Sequence, residues 1–280
     1  MTATAEAVPT PSSPRVTPEP GVKVTQRRVL HSEWTKLYSL RSTRYSLLVA
    51  LVITIGLGIL ISWGRASHWD QERPIERLSF DPTLTSLSGI FLAQLAVGVL
   101  GVLIVSGEYS TGMIRATMAA VPTRLPVLWA KAAVFAMVTF ALMTVASFVA
   151  FAGGQAMLSS KHISTTLSQP GVLTAVIGGG LYLTVVGVLG VALGALLRST
   201  AGGIATLFGL LLILPIIVRF LPSNWRDHID RYLPSSAGQS ILQVVHDSSA
   251  LSAWTGFALF CGYALAALAG AAVLLRRRDA

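Results

Sequence analysis

Residues 107–131 read GEYSTGMIRATMAAVPTRLPVLWAK. This stretch holds one glutamate, two arginines, two prolines and a lysine, and it sits between two long runs almost free of charge. A helix needs about 20 mostly apolar residues to cross the hydrocarbon core. The flanking runs, 84–106 and 132–154, meet that requirement. Working outward, so do 45–63, 171–197, 201–218 and 251–275. Only Arg198-Ser199-Thr200 separate the fourth run from the fifth, which predicts a tight helical hairpin. The fourth is long enough to tilt or to extend past the bilayer. The blocks are apolar on every face, whereas a barrel strand alternates apolar and polar residues. The pattern therefore predicts an all-α integral membrane protein with six transmembrane helices.

The composition agrees. The chain has 280 residues, 53% hydrophobic and 12% charged, against about 25% charged in a soluble domain. A net charge of +9 could suit nucleic acid, but a nucleic-acid binder gathers such charge on a polar surface. Here the basic residues lie between hydrophobic blocks, as membrane topology requires. The single cysteine, Cys261, sits within a hydrophobic block and reads as a small apolar residue. Residues 1–22 are rich in Pro, Ser and Thr and lack the apolar core of a signal peptide. They read as a disordered tail, with 23–280 forming one transmembrane domain.

Six spans place both termini on one side. Of the 21 basic residues, 14 fall in the N-terminal segment, the 107–131 loop, the turn at Arg198 and the Arg276-Arg277-Arg278 ending. The opposite side has the other seven, balanced by seven acids between Asp70 and Asp247. The positive-inside rule puts both termini, and with them the 107–131 loop, in the cytoplasm.

Other segments carry their own signals. In 24–44, Leu30, Trp34 and Leu37 share one helical face while basic residues mostly occupy the others. Such a basic amphipathic helix lies in the membrane interface, as an elbow leading into the first span. His68, Trp69 and Asp70 cluster outside but make no metal site. Residues 219–250 hold two short apolar groups broken by Pro234 and Gly238, read as two short helices on or dipping into the outer leaflet. The fourth span is glycine-rich, and Gly187, Gly190 and Gly194 mark a small-residue face for close helix packing. Pro215 should kink the fifth span.

The absences narrow the function. No span has a charge near its centre, which argues against a carrier that binds a coupling ion. There is no GxxxxGK[ST], so no ATPase of its own is expected. HExxH and CxxC are absent, the five histidines are scattered, and no metal or catalytic residue is assigned. Polar residues in the spans are mainly isolated Ser and Thr, with Gln94 and Tyr182.

The opening stretch then reads as a built cytoplasmic loop. Glu108 ends the second span. Thr111-Gly112 permits a sharp turn. Residues 113–120 can form about two helical turns, and Val121-Pro122 ends them, because the residue before proline disfavours the α region. Thr123 can cap the next helix, and Pro126 suits its first turn. The result is a short helix parallel to the membrane, shaped to dock in a groove on another protein.

At these residues the chain resembles the membrane subunit, or permease, of a type-2 ABC exporter. The matching features are E-Y-x-x-G-x-I-R from Glu108 to Arg115, a stretch that includes Tyr109, Thr111, Gly112 and Met113, then P-x-R over Pro122 and Arg124, then Lys131. The basic segment with Arg27, Arg28, Glu33, Trp34 and Lys36 and the YLPSSAGQSIL at 232–242 also fit. The resemblance covers nearly everything after residue 24. It implies a dimer of this permease, or a pair with a related one, joined to two copies of a separate ABC ATPase subunit that binds the ATP and magnesium. It implies that the 107–124 loop is a coupling helix seated on that ATPase, with Glu108, Arg115 and Arg124 its principal residues. Glu108 could anchor the loop to the N-terminal helix through a basic partner such as Arg27 or Arg28. The implied location is a bacterial plasma membrane.

Three other classes compete. A non-transporting scaffold or assembly protein could use the same fold. An integral-membrane enzyme would need facing carboxylates or histidines, and none is found. A self-sufficient carrier is weakened by the charge-free spans. Uncharged, aliphatic spans suit a hydrophobic or amphiphilic cargo, such as a drug, a peptide antibiotic or a lipid-linked compound.

Overall fold

The computed structural model describes residues 25–113, 125–245 and 250–277. Residues 1–22, Arg115, Pro122 and Arg124 lie outside them. Among the described residues the regular secondary structure is all helical, with no strand. Among them six helices are long and apolar enough to cross a membrane, as in a multi-pass membrane protein. Helix α1 (Gln26–Ser39) breaks at Leu40, whose ψ of 113° is extended, and α2 (Arg41–His68) follows. Two short helices, α3 (Pro74–Leu78) and α4 (Pro82–Ser86), precede α5 (Ile90–Ser110). Then come α6 (Leu125–Ser159), α7 (Val172–Leu197) and α8 (Thr200–Phe208). The fifth crossing continues through a π-helical turn (Gly209–Ile213) into α9 (Leu214–Arg219). Two short helices, α10 (Ser223–Ile229) and α11 (Pro234–Gln239), lead to α12 (Ala253–Arg277).

Helix α7 is the centre of the bundle. It packs on α5, α6 and α12, and 67% of its apolar window is buried, against 22% for the fifth crossing. The remaining apolar faces of the outer crossings are left for lipid. Glycine sets the closest approach. A Cβ at Gly190 would lie 2.3 Å from the Gly98 carbonyl oxygen, and one at Gly101 would lie 2.2 Å from that of Gly187. Helices α5 and α7 therefore meet backbone to backbone, as small residues allow.

Several expected boundaries shift for identifiable reasons. The second crossing begins at Ile90 rather than 84, because Asp81 and Pro82 start a separate helix. The Asp81 carboxylate accepts from the Thr83 and Leu84 amides at 2.8 and 3.0 Å, and Pro82 takes the first turn at no hydrogen-bond cost. The third begins at Leu125 rather than 132, with Pro126 in its first turn, and runs 35 residues. That is about 52 Å at 1.5 Å per residue, so it is α6, more than the fourth crossing, that outreaches the bilayer. The hairpin at 198–200 is tight as expected: Arg198 adopts φ 51°, and the Ser199 hydroxyl accepts from the Gly202 amide. Pro215 has no N–H for the Leu211 carbonyl, and its ring would clash there. The chain answers with the wider π turn just before it.

Of the two helices after the fifth crossing, α10 stays exposed, while α11 buries Ser235, Ala237 and Gly238. Leu233, Ile241 and Leu242 are buried beside it. The remaining oxygen of Asp81 accepts from the Val244 and Val245 amides at 3.0 and 3.3 Å, pinning the end of this segment. Nearby, the Gln155 amide donates to the Pro82 carbonyl and the Ser86 hydroxyl, both at 3.0 Å.

Candidate coupling site

Four charged side chains from three helices meet where the 111–124 loop leaves and rejoins the bundle. Glu33 and Lys36 lie three residues apart on α1, Glu108 lies in the last turn of α5, and Lys131 lies in the second turn of α6. Lys131 Nζ donates to Glu33 Oε2 at 2.5 Å and to Glu108 Oε1 at 2.9 Å. Lys36 Nζ donates to Glu33 Oε1 at 2.8 Å and to Glu108 Oε1 at 3.2 Å. Two carboxylates and two ammoniums alternate in a neutral ring. The Glu33, Glu108 and Lys131 side chains are 4%, 9% and 6% exposed, and Lys36 is 29% exposed.

The local sequence explains how each side chain arrives. Helix α5 stops because Ser110 and Thr111 turn their hydroxyls back onto the Gly107 carbonyl, and because Gly112 takes φ 71°. That leaves Glu108 in the last turn of the helix, facing α1. Helix α1 buries Val29 and Glu33 against the start of α6, where Val127 and Ala130 complete a small apolar cluster. Its Leu30 and Trp34 are exposed, as a face turned to lipid would be. Lys131 is carried inward by the first turns of α6.

Electrostatics favour the ring once it is formed. Burial alone pulls the Lys36 ammonium down, but the hydrogen bond with Glu33 and the charges of Glu108 and Glu33 outweigh it, so its pKa is raised. A buried pair is costly to break, because the surviving partner stays desolvated. Glu108 Oε2 is buried without a hydrogen-bond partner, so the ring is held from one side of that carboxylate.

The geometry corrects one expectation. The bases bonded to Glu108 are Lys36 and Lys131, in place of Arg27 or Arg28, which are both exposed on α1. In the sequence Lys131 stood only as one feature of the resemblance, just before the third apolar run. Its signal is that it stands within a helix that has no other charged residue from Leu125 to Ser159. Tyr109 takes a different role beside the ring: the Arg198 guanidinium lies 5.2 Å over its ring, tying the 198–200 turn to the end of α5. The Thr200 hydroxyl, donating to Ser106 at 2.8 Å, adds to that tie. Thr111, Gly112 and Met113 are exposed at the start of the loop. Gly187, Gly190 and Gly194 lie away from the ring, along the face of α7 that meets α5 and α6.

Among the described residues, no group of three His, Cys, Asp or Glu side chains could hold a metal ion. No protein-family model matches the chain, and no curated protein matches it.

Proposed function

We propose that the chain is the transmembrane subunit of an ATP-driven exporter of the type-2 ABC class, in a bacterial plasma membrane. It works as a dimer with a separate ATPase, which supplies ATP hydrolysis, and it is not itself an enzyme. The observation that carries this reading is the Glu33–Lys36–Glu108–Lys131 ring. It clamps both roots of the 111–124 loop to the N-terminal helix. A loop that only joined two crossings would need no such clamp. A loop that receives force from a partner needs rigid roots, so that movement reaches α5 and α6 together. Alternation between inward- and outward-facing arrangements then follows from moving α1, α5 and α6 as a unit. Six crossings without a central charge support a hydrophobic or amphiphilic cargo.

The test is co-purification from the native host in mild detergent, followed by an ATP hydrolysis assay. An ABC ATPase should accompany the chain, and Arg115→Glu should release it or uncouple hydrolysis from transport. If other membrane complexes survive the procedure and no ATPase appears, the exporter reading fails and a scaffold role takes its place.

A further inference from the structure

At the other end of α5, 14 residues before Glu108, Gln94 begins a second polar system. Its amide donates to the Phe91 carbonyl at 2.8 Å, and its carbonyl oxygen accepts from the Tyr182 hydroxyl. Gln239, on α11, donates to that hydroxyl at 3.3 Å. Tyr182 is fully buried and Gln94 is 2% exposed. Polar groups this deep in an apolar bundle are expensive unless satisfied, and these three satisfy one another. Gln94 and Gln239, held by the buried Tyr182 hydroxyl, line a cleft of about 880 Å³, within the usual range of ligand sites, about 300–1,000 Å³.

The walls differ in character. One is apolar, made by Phe91, by Leu211 and Leu212 of the π turn, and by Pro215 and Ile216. Single π turns inside helices occur frequently at functional sites. The other wall is charged. Arg226 pairs with its neighbour Asp227 at 3.3 Å, and Asp230 accepts from the Ser236 hydroxyl at 3.2 Å. Two cations lack a carboxylate: among the described residues, neither Arg219 nor Arg231 has one within ion-pair distance, and the Arg231 guanidinium lies 5.2 Å over the Tyr232 ring. Arg231 Nε and the hydroxyl of Ser235, itself 3% exposed, are buried without hydrogen-bond partners beside the cleft. Unpaired buried donors carry a penalty that a bound acceptor would remove.

We propose that this cleft binds an anionic amphiphile. Its phosphate or carboxylate head is held by Arg219 and Arg231, and its apolar part lies on Phe91, Leu211 and Pro215. Guanidinium groups suit such heads because they offer planar, paired donors. As a station for cargo, the site rests on the exporter reading; as a binding site, it does not.

The experiment uses the full chain in phosphatidylcholine nanodiscs and an alkyl phosphate carrying a diazirine in its tail. After irradiation, adducts are mapped by peptide mass spectrometry. They should concentrate in residues 207–219 and 223–243. Dodecyl phosphate should compete them away and dodecyltrimethylammonium should not. The double variant Arg219→Gln, Arg231→Gln should lower labelling there about tenfold, while labelling near Trp34 stays constant as an internal control. Arg219→Lys, Arg231→Lys keeps the charge without the paired donors and should restore part of the labelling that the glutamine variant loses, which separates lost binding from lost folding. Equal labelling of native protein and the glutamine variant, equal competition by the cation, or no labelling of the cleft would overturn the proposal. None of these readouts involves an ATPase, so they leave the exporter reading to its own test.

Discussion

Lys131 holds carboxylates from two different helices, and removing it leaves Glu33 and Glu108 to share one part-exposed lysine. Lys131→Met should cost about 3–5 kcal/mol of stability, the usual penalty for breaking a buried pair from one side. Adding Glu108→Gln to it should cost less than the sum of the two single changes, because the second removes the charge that the first orphaned. Thermal unfolding in detergent measures both, and strict additivity would show that the ring is not an energetic unit. The comparison can be made anywhere from pH 7 to 9. Lys36 has its pKa raised in the folded state, so its contribution is fully present below the ordinary value of 10.5 and is lost only as pH rises through the still higher folded value. The resemblance suggested a basic partner for Glu108 in the N-terminal helix, but the sequence could not choose it. Arginine and lysine carry the same charge along a sequence, and only burial separates the exposed Arg27 from the buried Lys131.

Among the elements, the α5–α7 contact depends on absent side chains. Gly190→Ala would place a methyl group 2.3 Å from the Gly98 carbonyl oxygen, and backbone cannot give way as a side chain can. The helices must separate, at about 1–3 kcal/mol, with a lower melting temperature in detergent. Gly262→Ala, where a Cβ meets nothing within 4 Å, should be neutral beside it. Six crossings were legible because apolar length is nearly all that a crossing requires. Their ends were less so. Start positions were misplaced at 84 and 132, since hydropathy does not see that Asp81 caps a separate helix or that Trp129 and Lys131 belong inside α6. The π turn escaped for a related reason: Pro215 announces a disturbance, and the backbone chooses whether to bend or to widen.

For the whole molecule, the neighbour pattern was hidden by uniformity. Where every face is apolar, only small residues hint at which faces meet, and the central place of α7 could be read no further than its glycines. The sidedness remains a prediction from charge. On a Cys261→Ser background, a cysteine at Asn224 should react with a membrane-impermeant maleimide added to intact cells. A cysteine at Ser110 should react only after permeabilisation, and the reverse pattern would invert the topology. Helix α6 gives the molecule its mechanical character. From Lys131 in the ring to Gln155, which grips Pro82 and Ser86, it runs about 36 Å. Its only proline, Pro126, lies before that interval, and its one glycine pair, Gly153-Gly154, falls at the far end beside Gln155, these being residues at which sharp kinks arise. Between them the helix is a stiff lever. A tilt of about 5° at the ring sweeps the far end through about 3 Å over that length. A push too small to break a hydrogen bond at one surface thus arrives at the other as a displacement large enough to loosen several.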